Sequence, residues 1–186
     1  YHRYPLGLPL FPVERAVYQR LFVLLSLFAS LPAMAISFQT RLEKAEWTVS
    51  GDIFECRLTQ PVTDFGSGEF VRRAGELSIF RLSESNQWLG AGSATLLAAA
   101  APWQPGRGDI NLGQVSVRPG NQPFNSSQDQ AGRLLTGLLN GRSPVVRHRT
   151  LRGGEHLEVR LLPVRFNPAY NEFMACSSKL LPVNFD

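Results

Sequence analysis

Apolar and polar residues alternate with a period near two along most of the chain after residue 35, the spacing of strands that bury one face. Residues 47–49 and 53–58 read as two strands around the turn Ser50-Gly51-Asp52. In the second, Phe54, Cys56 and Leu58 share one face and Glu55 and Arg57 the other, so Cys56 should point inward. Residues 69–73 and 77–82 flank Ala74-Gly75-Glu76 as a hairpin. Residues 110–117 alternate again through Ile110, Leu112, Val115 and Val117 and stop at Pro119-Gly120. Residues 145–150 and 156–162 form a last hairpin about Arg152-Gly153-Gly154-Glu155, with Leu157, Val159 and Leu161 facing one way.

The period changes twice. Ala131, Leu134, Leu135, Leu138 and Leu139 form a helical stripe, with Ser126 or Ser127 as cap, Asp129 in the first turn and Asn140-Gly141 as the stop. Asn167-Pro168 reads as the cap and first residue of a second, short helix that carries Cys176. The small-residue run 94–101 is open: alanine favours a helix on propensity, whereas its place among strands favours a buried strand. Gly66-Ser67-Gly68 and Gly90-Ala91-Gly92 read as turns, and residues 102–106 as a loop. The expected fold is mainly β (α+β): an antiparallel barrel- or sandwich-like domain with two short helices packed on it and one disulfide.

The front of the chain has another character. Residues 21–31 are an unbroken apolar run of eleven after Arg20, followed by Ala33-Met34-Ala35, a small-x-small signature for signal peptidase. At about 1.5 Å per residue the run is too short for a hydrocarbon layer of about 30 Å, so it reads as an export signal cut between Ala35 and Ile36, with a buried helix as the alternative. Met34 and Met174 are the only methionines, so Val17 is read as an alternative start and residues 1–16 as upstream sequence. Residues 36–186 then form the mature domain.

Composition narrows the classes. Hydrophobic residues make up 44% and charged residues 18%, which excludes a disordered chain. The formal charge is +4, of which residues 1–35 carry +2 (Arg3, Arg15 and Arg20 against Glu14), leaving +2 for the rest. That remainder is weak ground for a polyanion partner. The basic residues are 17 Arg and two Lys, scattered and not interleaved with aromatics, so no nucleic-acid partner is expected. Cys56 and Cys176 cannot supply a four-ligand zinc site and form no CxxC pair. In an oxidising compartment a structural disulfide is the expectation, two buried thiols the alternative.

Catalytic signals are sparse. There is no GxSxG, HExxH or phosphate-loop motif. His148 and His156 lie on opposite arms of the last hairpin, where they could approach, but only Glu155 and Glu158 are near in sequence; they read as exposed hairpin residues, and no metal or cofactor is expected. The acids Glu69, Glu76 and Asp109 show no recognisable pair spacing, so no enzyme is expected. Arg107-Gly108-Asp109 and the sequon Asn125-Ser126-Ser127 read as local loop sequence. Trp88 and Trp103 sit in loop-like settings that could line a glycan or peptide site. Arg147, Arg149 and Arg152 form the densest basic cluster, either a docking patch for an acidic partner or a solvated hairpin face.

An ordered set of segments carries a resemblance: Ile36-Ser37-Phe38-Gln39-Thr40-Arg41-Leu42-Glu43-Lys44-Ala45-Glu46-Trp47, then Phe54-Glu55-Cys56-Arg57-Leu58, Phe65-Gly66-Ser67-Gly68-Glu69-Phe70, and Trp103 with its prolines. Asn171-Glu172-Phe173-Met174-Ala175-Cys176 and Leu180-Leu181-Pro182-Val183-Asn184-Phe185-Asp186 complete it. Together they resemble the N-terminal domain of the MotY family, components of sodium-driven polar flagellar motors, over essentially all of residues 36–186. The resemblance implies a periplasmic protein that joins the ring around the flagellar basal body, has a MotX-type protein as partner and helps to place stator units. It also implies a following OmpA-like domain that binds peptidoglycan. The chain stops where that domain would begin, so peptidoglycan binding is expected only through the missing part.

Overall fold

A computed structural model describes residues 35–149 and 156–182. Ten strands form two five-stranded sheets. The first has the order β1-β10-β9-β6-β7, built from β1 Ile36–Gln39, β6 Gly92–Ala100, β7 Ile110–Val117, β9 Arg142–Arg149 and β10 His156–Arg160. The second has the order β2-β3-β4-β5-β8, from β2 Thr48–Gly51, β3 Glu55–Val62, β4 Gly66–Arg73, β5 Ile79–Glu84 and β8 Phe124–Asn125. Every pairing is antiparallel except that of β1, which joins β10 in parallel with Ile36 opposite Leu157. Two helices, α1 Gln128–Leu139 and α2 Phe166–Ser177, pack on the sheets, α1 against β9, β5 and β6 and α2 against β3 and β2. The architecture is therefore the sandwich-like form of the expectation, not a closed barrel.

One core joins all of these parts. Leu58, Phe70, Phe80 and Leu82 enter it from the second sheet, and Phe38, Ala94, Leu96, Val146, Leu157 and Val159 from the first. Aromatic rings run through it: Phe38 and Phe65 have centroids 5.4 Å apart, Phe70 and Phe80 5.0 Å, Phe80 and Phe124 6.2 Å. Tilted pairs of this kind contribute about 0.5–1.5 kcal/mol each beyond the area they bury.

The small-residue run resolves as strand β6. Ala94, Ala98 and Ala99 are almost wholly buried, and a Cβ added at Gly137 of α1 would sit 3.2 Å from the Ala98 Cβ. Alanine is thus selected for close approach of a helix, and tertiary packing overrides its helix propensity. In α1 itself the Ser127 hydroxyl accepts from Gln130 N while Gln130 Oε1 accepts from Ser127 N, a reciprocal capping box. Ala131, Leu134, Leu135 and Leu138 are buried at helical spacing, and the chain leaves through Gly141 at φ +72°. The last stripe residue, Leu139, is 42% exposed.

Several local expectations are corrected. Phe54 does not share the inward face of Cys56; it is 40% exposed, because Asp52 Oδ1 accepts from Phe54 N and Glu55 N and holds residues 52–54 as a turn before β3 begins. Gly66-Ser67-Gly68 is not a turn but the start of β4, and Gly68 must be small because an added Cβ would lie 2.5 Å from the Leu161 side chain. Gly92 likewise opens β6. The second helix begins at Phe166, capped by Arg165 in the left-handed region at φ +54°, so Pro168 falls inside the first turn, where no backbone donor is needed. The Arg152–Glu155 turn of the last hairpin lies outside the described residues, while its arms pair as expected, His156 opposite Arg149.

Candidate functional site

The two cysteines meet. Cys56, fully buried on β3, is bonded to Cys176 near the end of α2, with the Cα atoms 6.1 Å apart. Beside the bridge, Phe173 is fully buried, Phe166 packs edge-on to Trp47 at 5.2 Å, and Leu181 N donates to Ile53 O at 2.7 Å, so residues beyond α2 are drawn back to the β2–β3 turn. A second tie holds the segment that leads into α2. Gln60 Nε2 donates to Leu162 O and Gln60 Oε1 accepts from Leu162 N, so a buried side-chain amide stands in for a strand's backbone, and Trp47 Nε1 also donates to Leu162 O. Gln60 was not anticipated from the sequence; its one signal is a polar residue at an inward position of an alternating strand.

Of the predicted docking arginines, Arg147 falls on the outward face of the first sheet. Arg147 of β9 stands opposite Glu158 of β10, its Nε donating to Glu158 Oε2 at 2.8 Å and its Nη2 to Asp109 Oδ2 at 3.3 Å. Arg160 takes the other Glu158 oxygen at 2.8 Å and donates to Ala100 O. Burial raises the proton affinity of Glu158, but hydrogen bonds from Arg147 and Arg160 outweigh it and hold the carboxyl below the usual range. Its own bond to Glu158 in turn holds the Arg147 guanidinium above its usual range. Arg147 is therefore part of an alternating charge ladder. Arg149 follows on the same strand, its side chain outside the description, and Arg152 lies outside the described residues. Ala35 is exposed, and Ile36 is the half-buried first residue of β1.

The second sheet carries a matching ladder. Glu55 accepts from Arg57 Nε at 2.6 Å and Arg73 Nε at 2.9 Å, and Glu69 accepts from Arg81 Nε at 2.6 Å. For Glu55, too, burial is outweighed by the arginine hydrogen bonds and the carboxyl is held low. The acids considered for catalysis are thereby separated: Glu69 serves Arg81 in the second sheet, Asp109 serves Ala100 N and Arg147 at the first. Arg107 and Gly108 are tied as well, Arg107 to Asn140 O and Gly108 O to Arg142, so the Arg-Gly-Asp tripeptide is a fastened loop.

The histidines do not approach each other. Adjacent register places them on opposite faces of the hairpin: His156 is exposed, whereas His148 is 6% exposed, with ring nitrogens 3.1 Å from Ser93 O and 2.9 Å from Gly90 O. The reading of His148 as an exposed hairpin residue is thus corrected; its side chain points to the core face, like its β6 neighbours. Among the described residues no group of three His, Cys, Asp or Glu could hold a metal, and no helix is long and apolar enough to cross a membrane. Trp88 is half-buried on Phe38 at 4.9 Å, and Trp103 is 46% exposed in its loop, so they are differently placed.

Comparison with known proteins places these features in context. Residues 38–182 match the family of the MotY N-terminal domain. The chain is also 25% identical over 170 residues to the sodium-type flagellar protein MotY of Vibrio parahaemolyticus serotype O3:K6 (strain RIMD 2210633), a match that covers 88% of this chain. It spans 58% of that relative's length.

Proposed function

This chain belongs to the MotY N-terminal domain family, and we propose from that premise that it serves as a periplasmic structural component of a sodium-driven flagellar motor. The observation that carries the reading is the match over residues 38–182, which takes in both cysteines and every strand from β2 to β10. In this reading an export signal is removed between Ala35 and Ile36, and residues 36–186 fold in the oxidising periplasm, where the disulfide forms. The domain joins the ring around the basal body, binds a MotX-type protein and so helps to place stator units. Peptidoglycan is reached through an OmpA-like domain that follows in the complete protein. The arginines of the last hairpin, Arg147, Arg149 and Arg152, are the docking groups we assign to an acidic partner surface.

Gene deletion followed by complementation tests the reading. Loss of swimming together with loss of the periplasmic ring in images of the basal body is the expected result. Normal swimming with an intact ring would remove it. Titrating the purified domain with the MotX-type protein and, separately, with cell-wall fragments distinguishes a motor component from a glycan-binding module. Arg147→Gln, which removes the charge but sets no carboxylate against Glu158 and Asp109, should weaken binding of the protein partner.

A further inference from the structure

Residues 102–109 join β6 to β7 as an exposed loop that is fastened to the domain at several points. Gln104 N donates to Ala101 O at 2.8 Å, closing a β-turn whose two central residues are Pro102 and Trp103, with proline where it presets the turn. Asp109 Oδ1 accepts from Ala100 N, Arg142 Nη1 donates to Gly108 O at 2.8 Å, and Arg107 Nη1 donates to Asn140 O at 3.0 Å. The loop is thus held in one shape before anything binds. Asp109 also ties it to Arg147, on the face of the first sheet where Leu97, Ala99 and Val145 form a small apolar cluster of their own.

That frame presents an indole ring to solvent. Trp103 is 46% exposed and belongs to neither apolar cluster of the domain. Ile110, which follows the loop, is 41% exposed, as is Leu139 at 42%, one residue before the Asn140 carbonyl that holds Arg107. The polar groups around them are one-sided. Arg107, Arg142, Arg147 and Arg160 stand against Asp109 and Glu158, and every oxygen of those two carboxylates already accepts a hydrogen bond. Gln104 Oε1 is taken by Arg107. Arg107 and Arg142 bond through Nη1 alone, so their other guanidinium donors have no partner among the described residues.

We propose that the loop 102–109 is the apolar anchor of a docking surface for an acidic protein, with the Trp103 ring filling a recess in the partner while Arg107 and Arg147 meet its carboxylates. The proposal deepens, and rests on, the assignment of Arg147 to an acidic partner surface made above. Surplus guanidinium donors beside filled carboxylates complement a partner that brings acceptors of its own. Tryptophan and arginine concentrate binding energy at interfaces, and a loop fixed in advance costs little further ordering. A sugar would stack on the same ring, but its hydroxyls both donate and accept, and the carboxylates that would take their protons are occupied by arginine and by Ala100 N.

The test uses the intact oxidised chain and the purified MotX-type protein, with Kd from titration and with acrylamide quenching of tryptophan emission. Trp47 is 4% exposed and Trp88 is half-buried on Phe38, so acrylamide reaches Trp103 most readily, and the bound partner should shield it. Trp103→Ala should raise Kd about thirtyfold at an unchanged thermal midpoint, and Trp103→Phe should restore most of the affinity. Arg107→Gln should raise Kd about three- to tenfold, an effect that shrinks as salt is added. Trp103 left open to acrylamide in the complex would overturn the anchor with no variant needed. Trp103→Ala binding as tightly as the unchanged chain, while Arg147→Gln binds more weakly, would overturn the anchor and leave the Arg147 assignment standing. If neither substitution weakens binding, or the unchanged chain does not bind, both are overturned. Shielding of Trp103 by cell-wall fragments and not by the protein would replace the proposal with a glycan site.

Discussion

Opening the Cys56–Cys176 bridge is the sharpest perturbation of this domain. The two cysteines are 120 residues apart in sequence, so the bridge closes most of residues 36–186 into one loop. In the chain-entropy account, closing a loop of that length removes roughly 5 kcal/mol of freedom from the unfolded state at 25 °C. A domain of this size has a net stability of about 5–15 kcal/mol, so the loss is a large share of the total. Reduction of the unchanged chain is the cleanest version, because it leaves Cys56 in its buried site without a new polar group. Urea titration with and without reductant should move the midpoint by about 2.5 M for a slope near 2 kcal/mol/M. The Cys56→Ala/Cys176→Ala variant should repeat that shift within the smaller cost of the lost sulfur volume. A shift below about 0.5 M in both would refute the entropic reasoning, and would mean that Gln60, Trp47 and Phe173 hold α2 in place without the bridge. In cells, Cys176→Ser should lower abundance and motility together. Motility lost at unchanged abundance would replace the clamp with a direct role for this end of the domain at an interface.

Other perturbations test separate parts of the argument. Gln60→Leu leaves the buried Leu162 N–H without its acceptor and should cost about 1–3 kcal/mol, read from denaturant midpoints. Ser127→Ala removes half of the α1 capping box and should cost about 1 kcal/mol, a midpoint lower by about 2–4 °C in a thermal scan. Phe173→Ala, at a fully buried position on α2, should cost about 3–5 kcal/mol and release the helix that carries Cys176, seen as faster amide exchange there. Glu158 is held below its usual range, so its stabilising share is present above the unfolded carboxyl range near pH 4.3 and is lost as pH falls through the lower folded value. The difference in thermal midpoint between the wild type and Glu158→Gln should therefore shrink between pH 6 and pH 3.

Residue order alone determined β2 to β5, β7, β9 and β10, α1 with its stop, the inward direction of Cys56 and, through an ordered set of segments, the family. These are short-range properties: a period of two or of three to four, a cap, a glycine beyond a helix, and each acts within a few neighbours of its own position. Tertiary structure decided the rest. Whether residues 94–101 were helix or strand depended on α1 pressing against Ala98, a contact between segments about forty residues apart. Phe54 left the inward face because Asp52 claimed its amide, and His148 left solvent because a one-residue step in register turned it away from His156. Gln60 found its partner in Leu162, 102 residues further along. Local pattern states which face a residue prefers, but a buried polar group is stable only where a distant donor or acceptor meets it, and which segments meet is settled by packing of the whole chain.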